Sequence, residues 1–392
     1  MAESSQTHYL NAEFDLGLRA RSQRLEQPRL IRQVSELSVQ ALLAAEPGDA
    51  VLVRTEVPDE FLEHLGTCGV TVPRLLVHPQ IDPTLRLRPF GWSAEAIELN
   101  RRHDRPAEHP SLATVKRVNA RSFLLELEAD LDPQDPPGVV IESRAELEAF
   151  LTRAASASEW LIKAEHGNAG LGNRRVRQPQ LTTADRRFVD EIFSEDDRLV
   201  VEPWRARERD WCVVFDVPFV ASTLRVHETL YTRDGALIGA LFEPGGPRTV
   251  DRSEELAGVA EGVASRLDRE GYFGPACFDA FSWRDTKRVR FRALADLNCR
   301  LSMSNGAHHF WRRRNADRTL YYRFFNRRKF SLPTDLSQGL AALGRQRYAA
   351  SRRHGILLLS PLHFAKLAVA FVAENRADVF ALEREFRARF ES

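Results

Sequence analysis

The run VRFRALADLNCR (residues 289–300) constrains this chain most. Asp296, Asn298 and Arg300 occupy alternate positions behind an apolar stretch. In a β-strand, residues i, i+2 and i+4 point to one face. A carboxylate, an amide oxygen and a guanidinium would then stand in one row. Asp and Asn oxygens suit a hard cation such as Mg²⁺, and Arg suits an oxyanion. The same triplet fits a solvated strand edge, so its meaning depends on what surrounds it.

The run YFGPACFDAFSW (272–283) reads as an adjacent antiparallel strand, which brings Asp279 within reach of Asp296 and Asn298. Further upstream, WLIKAEHGNAGLGNRRVRQ (160–178) reads as a β-hairpin whose first strand carries Lys163 and whose loop carries Gly167, Gly170 and Gly172. No GxxxxGK[ST] occurs, so this is not a strand-to-helix P-loop. Glycines let backbone N–H groups approach a phosphate chain, and Lys163 would add a point charge; an ordinary glycine hairpin fits equally well. LVVEPW (199–204) is a strand that turns at Pro203 and carries Glu202, and DWCVVFDV (210–217) is the next strand. A meander follows over 228–244, with a turn at Asp234-Gly235, and then a helix over 253–271 with a Gly stop.

The N-terminal third has a different rhythm. Residues 16–47 have helical period, with Pro28 opening a second helix. AVLVR (50–54), a helix over 57–69 and VTVPRLLVH (70–78) form a β-α-β unit, which implies a small parallel sheet. No GxGxxG follows the first strand, so a dinucleotide site is not expected. A turn and helix follow over 89–102, and HDRPAEHPS (103–111) reads as a linker. Residues 115–131, bearing Lys116, are helical by period. VVIES (139–143) is a strand, and Ser143 caps the helix after it with Glu146 three residues on. Thr182 or Thr183 caps a further helix over 182–197.

From residue 311 the chain interleaves Arg with aromatics, WRRRNADRTLYYRFFNRRKF. That pattern suits single-stranded nucleic acid or an amphipathic helix packing on its aromatic side. Residues 354–362 and 367–374 are buried-strand runs, and 376–390 is a final helix.

Composition narrows the class. A chain of 392 residues, 43% hydrophobic and 28% charged, is globular with about two to three domains. Its net charge of +1 gives no bulk field toward nucleic acid. The four cysteines form no CxxC pair, so a disulfide framework is not expected and a reducing, cytoplasmic setting is. The N-terminus carries no secretory pattern. The most apolar run, 355–373, is interrupted by Ser360, Pro361, His363 and Lys366, short of the ~18–20 residues of a membrane span.

The order of these parts resembles the ATP-grasp superfamily over about residues 112–310: Lys116, Lys163, the glycine hairpin, Glu202, Asp279, then Asp296-x-Asn298-x-Arg300. The resemblance implies an α/β (α+β) chain. A Rossmann-like pre-ATP-grasp domain would occupy 1–110 and the ATP-grasp domain 111–310, with its first subdomain at 111–200 and the central sheet and metal site at 201–310. Residues 311–392 would be a C-terminal extension packed on that core. It also implies roles. Lys116 and Lys163 would touch ATP phosphates, and the loop of His166, Gly167, Gly170 and Gly172 would close over them. Val200 to Trp204, with Val201, Glu202 and Trp204, would hold adenine, and Glu208 or Asp210 the ribose. Asp279, Asp296 and Asn298 would bind two Mg²⁺ ions, with Mn²⁺ as a substitute. Arg300 and Arg225 would hold phosphate or a substrate carboxylate, with Lys163 also acting in catalysis.

Two departures stand out. D-alanine ligases carry an arginine two residues before the first metal aspartate, and Cys277 stands there. The second metal carboxylate of the superfamily is usually Glu, and here it is Asp296. Cys277 and Cys299 are expected to face the core, away from the metal. The resemblance points to an ATP-dependent ligase that joins a carboxylate, activated as an acyl phosphate, to an amine, with an amino acid or peptide as substrate. A small-molecule kinase and a non-catalytic nucleotide-binding protein are the alternatives. Partners are then small molecules, with no nucleic acid or membrane, and a homodimer is left open. The chain is expected to be unlike biotin carboxylase and succinyl-CoA synthetase chains, whose additional domains are not found.

Overall fold

A computed structural model describes residues 5–19, 27–134, 137–154, 159–168, 171–177, 180–232, 237–245, 252–285 and 288–392. Three sheets organise them. The first is parallel, in the order β3-β2-β1-β4, from Gln6–Tyr9 (β1), Ala50–Val53 (β2), Arg74–Val77 (β3) and Arg86–Pro89 (β4). The β-α-β unit is as the sequence predicts, but β1 lies ahead of it. QTHY is too short and polar to read as a strand, yet it is central in the sheet, and Thr7, His8 and Tyr9 are buried.

The second sheet is antiparallel, in the order β5-β8-β6-β7: Val139–Ile141 (β5), Trp160–Asn168 (β6), Leu171–Val176 (β7) and Leu199–Pro203 (β8). Helices Arg144–Arg153 and Thr183–Glu195 cover it, and Leu147, Leu151, Ile162, Val189 and Val201 form its core. Ser143 and Thr182 cap these helices through their hydroxyls.

The third sheet has eight strands in the order β13-β12-β9-β10-β11-β14-β16-β15. They are Arg207–Val217 (β9), Arg225–Tyr231 (β10), Leu237–Phe242 (β11), Gly274–Asp285 (β12), Arg288–Asn298 (β13), Thr319–Asn326 (β14), Gly355–Leu358 (β15) and Lys366–Ala373 (β16). Helices Arg121–Leu131 and Ser253–Arg269 pack against its β9–β12–β13 end through Phe123, Leu127, Leu256 and Val263.

Two expectations are corrected. The segment read as one helix over 115–131 is two, Leu112–Val118 and Arg121–Leu131. Asn119 makes the break: its amide donates to the Val115 carbonyl and accepts from the Cys299 N–H, both at 2.8 Å. The second correction concerns the C-terminal segment. The helix Asn305–Arg314 ends early in it, and TLYYRFFN is strand β14, paired with β11 and β16. Its aromatics come in adjacent pairs that point to both faces of the sheet, and Tyr321, Tyr322 and Phe325 are buried. Strands of residues 311–392 therefore extend the central sheet, and the helix Arg376–Phe390 packs on them through Phe386 and Phe390.

Candidate active site

Strands β12 and β13 place Asp279 directly opposite Asp296, and Cys277 directly opposite Asn298. Cross-strand partners share a face, so all four side chains line one cleft over the central sheet. The alternation read from sequence thus holds for Asp296 and Asn298. For Cys277 the expectation is corrected. It lies two residues before Asp279, on the same face by the period of two, and lines the cleft. Cys299 does turn into the core.

The charges in the cleft are unevenly matched. Asp296 is ion-paired to Arg121, the first residue of its helix. Burial would raise the Asp296 pKa, but Arg121 and Lys163 outweigh it and hold the carboxyl below its ordinary value. Asp279 has a weaker partner, the Tyr231 hydroxyl at 3.1 Å. Burial, and then the Asp296 carboxylate opposite, push its pKa up to about 7 against the pull of Arg207. The Asn298 amide oxygen accepts from Arg300 at 2.8 Å.

Arg300 is more committed than the sequence suggests. Its Nε donates to both Asp15 oxygens at 2.9 and 3.0 Å, and its guanidinium stacks over Phe90 at 4.6 Å. Both partners belong to the N-terminal region, so Arg300 joins that region to the end of β13 while lining the cleft. Arg225 does not line the carboxylate cleft; it donates to Asn305 at 3.4 Å.

Lys163 projects from β6 into the cleft, and its Nζ lies 2.6 Å from Glu202 and 3.4 Å from the Ala295 carbonyl. Glu202 also meets Arg292 at 3.0 Å, and Arg292 pairs in turn with Glu128. All four side chains are buried. Burial alone would raise the Glu202 pKa, yet Arg292 and Lys163 hold it at about 2. Charges in this chain alternate and cancel.

The remaining predicted residues divide. Gly167 lines the cleft. Gly172 is buried at φ +94°, and a Cβ there would come within 2.6 Å of the Arg19 guanidinium. Arg19 also donates to the His166 carbonyl at 2.8 Å and pairs with Glu195, so it anchors the base of the hairpin. Gly170 lies outside the described residues, as does the Asp234-Gly235 turn. His166 is buried, and its Nε2 meets the Lys116 carbonyl at 3.1 Å. The Lys116 side chain is exposed and borders a different cleft, with Glu195 to Arg198. The structure does not bring it to the carboxylates.

In the expected linker, Val201 is an interior strand residue flanked by Val139 and Ile162, with its side chain in the small-sheet core. The accessible part is Pro203 to Arg205, beside a recess lined by Gln134, Gly138, Glu202 and Trp283. Trp204 is half-buried beneath Arg175, 4.5 Å from its ring. Glu208 is exposed and paired with Arg284 at 3.0 Å, whereas Asp210 is buried and paired with Arg207 at 2.9 Å. His227 meets Ser304 at 2.8 Å, and His308 lies against Phe242.

Sequence reasoning missed Arg121, Arg207, Tyr231 and Arg292. Arg207 lines the cleft, 4.4 Å from the Phe281 ring centre. The charge-dense run RARERD carries a weak signal for Arg207, while Arg121 and Arg292 have partners 175 and 164 residues away and give none.

A divalent cation and a nucleotide fit this arrangement. Two facing carboxylates and an amide oxygen supply hard donors, and Asp279 has no guanidinium or ammonium within ion-pair distance among the described residues. No three His, Cys, Asp or Glu converge among the described residues. Asp279, Asp296 and Asn298 would therefore hold a cation whose shell is completed by phosphate and water oxygens, as Mg²⁺ prefers. No helix of the described residues is long and apolar enough to cross a membrane.

Solved structures share this architecture. The N5-carboxyaminoimidazole synthetase of Staphylococcus aureus, complexed with ADP, matches at TM-score 0.54 and 10% identity, over 98% of this chain and 96% of its own. The biotin carboxylase domain dimer of Hydrogenobacter thermophilus 2-oxoglutarate carboxylase, with MgADP, ADP and bicarbonate, matches at TM-score 0.56 and 11% identity, over 99% of this chain and 91% of its own. The carboxyaminoimidazole ribonucleotide synthase of Aspergillus clavatus, complexed with ATP, matches at TM-score 0.52 and 10% identity, over 98% of each. No protein-family model matches the sequence, and no curated protein matches it. The fold is ATP-grasp, preceded by its usual parallel N-terminal domain.

Proposed function

We propose that this chain is an ATP- and Mg²⁺-dependent ligase that activates a carboxylate as an acyl phosphate and joins it to an amine. The observation that carries the reading is the Asp279–Asp296 pair, facing across two strands beside Asn298 and Lys163 in an ATP-grasp cleft. Neighbours of this fold were solved with ADP, ATP and MgADP, and one with bicarbonate as well.

Each group has a part in this reading. Bound Mg²⁺ would offset charge on the transferring phosphoryl group. Asp279, Asp296 and Asn298 would fix its position, and Arg121 would keep Asp296 ionised and oriented. Lys163, held by Glu202, would aim its ammonium at phosphate oxygens, and Arg207 would bring further positive charge to the cleft. The recess at Pro203 to Arg205 would receive the adenine. The cleft continues past Thr229 and Tyr231 to Leu237, Tyr322 and Phe324, where a substrate body would lie away from water. No Ser, Cys or His nucleophile is needed. An assembly like the H. thermophilus dimer is part of the proposal.

The test is product analysis. Protein, MgATP and a mixture of amino acids should give inorganic phosphate and a new amide mass. A phosphorylated small molecule would instead establish the kinase. Tight ATP binding with neither product would leave a non-catalytic nucleotide-binding protein.

A further inference from the structure

A second charged cluster lies where the N-terminal region meets the central sheet. Arg88 lies in β4, Arg225 opens β10, and Asn305, His309 and Arg312 belong to the helix Asn305–Arg314. A pocket lined by His8, Arg88, Phe90, Ser302, Met303 and Asn305 opens beside them. Ser302 and Met303 also line the carboxylate cleft, so the two cavities share a wall.

The cations here are not matched. Among the described residues, none of Arg88, Arg225 and Arg312 makes an ion pair with a carboxylate. Arg225 donates to the Asn305 amide oxygen at 3.4 Å, and its Nε is buried with no partner. Arg88 donates to Gln6 at 3.4 Å. The acidic groups nearby are Asp216 and Asp49. Asp49 is already taken by His8 at 2.8 Å and by the backbone N–H groups of Gln6 and Glu46. Burial, and then the charges of Arg225, Arg88, Arg312 and His8, hold the His309 imidazole down to about 3. His227 and His308 each leave a buried Nδ1 without a partner.

Gathering like charges at partial burial with no counter-ion opposes folding. In the hinge network of Lys163, Glu202, Arg292 and Glu128, where the small sheet meets the central one, each Arg or Lys is paired with a carboxylate. The seam departs from that pattern, and guanidinium forks are matched to oxyanions in geometry as well as charge.

We infer that Arg88, Arg225, Asn305 and His309 form a receptor for an oxyanion group, phosphate or carboxylate, carried by the substrate. It deepens the ligase reading and rests on it for the substrate's identity: the substrate reacts at the carboxylate cleft and is held at the seam by a second anionic group. Arg225 thereby acts in recognition and not at the reacting atoms. The arginines at the seam select against a purely apolar substrate.

Calorimetric titration of the full chain at low ionic strength tests this without turnover, with inorganic phosphate in one arm and succinate in the other. One site is expected for at least one anion, unchanged by saturating MgADP. Arg225→Gln and Arg88→Gln should each weaken it at least tenfold. Arg312→Gln, at an exposed position, should weaken it less than threefold. The arm with the tighter site names the group. Binding of neither anion overturns the inference. So does wild-type affinity in both Arg225→Gln and Arg88→Gln, or a site that MgADP displaces. Failure to bind ADP would count against the ligase reading and leave the anion result standing.

Discussion

Two neighbouring clusters, one around Glu202 on β8 and one around Asp279 on β12, treat charge in opposite ways. At the hinge, Lys163, Glu202, Arg292 and Glu128 form a closed series in which each charge has a partner within hydrogen-bond reach. At the far side of the cleft, Asp279 and Asp296 face each other across β12 and β13, and Arg121 answers one of them. The hinge is complete as it stands. The carboxylate end is short of positive charge until a cation arrives. The difference separates what holds the fold from what awaits a ligand. Both regions are polar, but the Glu202 series is buried, whereas Asp279, Asp296 and Asn298 are half-buried and open to the cleft, as a ligand site would require.

The largest expected effect tests the incomplete end. Asn298→Ala should lower MgATP-dependent phosphate release by at least about 10³-fold, while circular dichroism and Tm stay near wild type. Asp296 is the poorer position for this test, because its loss strands the buried Arg121 and confounds chemistry with folding. An Asn298→Ala enzyme with wild-type turnover would remove the metal assignment.

Next in size is the complete end. Arg292→Ala leaves the buried Glu128 without its cation and Glu202 with Lys163 alone, so unfolding free energy should drop by about 3–5 kcal/mol. Denaturant titration reads this directly. A loss under about 1 kcal/mol would mean that the hinge network contributes little and the contrast is wrong.

A smaller effect has the opposite sign. The Asp279 pKa stands at about 7, above the ordinary 3.8. An unfolded chain releases this proton above about pH 4, and the folded chain keeps it until about pH 7. Stability therefore falls as pH rises through that window, and the cost is fully present above it. Asp279→Asn should raise Tm at pH 8 without divalent cation, by roughly 2–4 °C for each kcal/mol relieved, and should change little at pH 4. Equal Tm values at both pH values would mean that Asp279 is already neutralised. The smallest effect is Glu208→Gln: its exposed pair with Arg284 should cost less than about 1 kcal/mol. A several-fold rise in KM for ATP in this variant would assign the ribose to Glu208 over Asp210.

What was legible in the sequence was local. The alternation of Asp296 and Asn298, the Lys163 hairpin and the Ser143 and Thr182 caps are short-range patterns, and each is present in the structure. The long-range pairings were not legible. Asp15 and Arg300 are 285 residues apart, and nothing in either neighbourhood announces the other. TLYYRFFN continues the Arg and aromatic pattern of WRRRN and so suits a helix, but its paired aromatics belong to an interior strand buried on both faces. Cys277 was misassigned by a slip in the same period, since positions 277 and 279 share a face. Lys116 had the right place in the order of motifs, yet its side chain points to another cleft.

The central claim is that Asp279 and Asn298 hold a divalent cation against a nucleotide. Mn²⁺ titrated into the protein with ADP, followed by loss of the free-ion EPR signal, measures this most directly. Wild type should bind in an ADP-dependent manner, and Asp279→Asn should bind at least about 100-fold more weakly while still taking up ADP. Equal Mn²⁺ affinity in the two proteins would contradict the account.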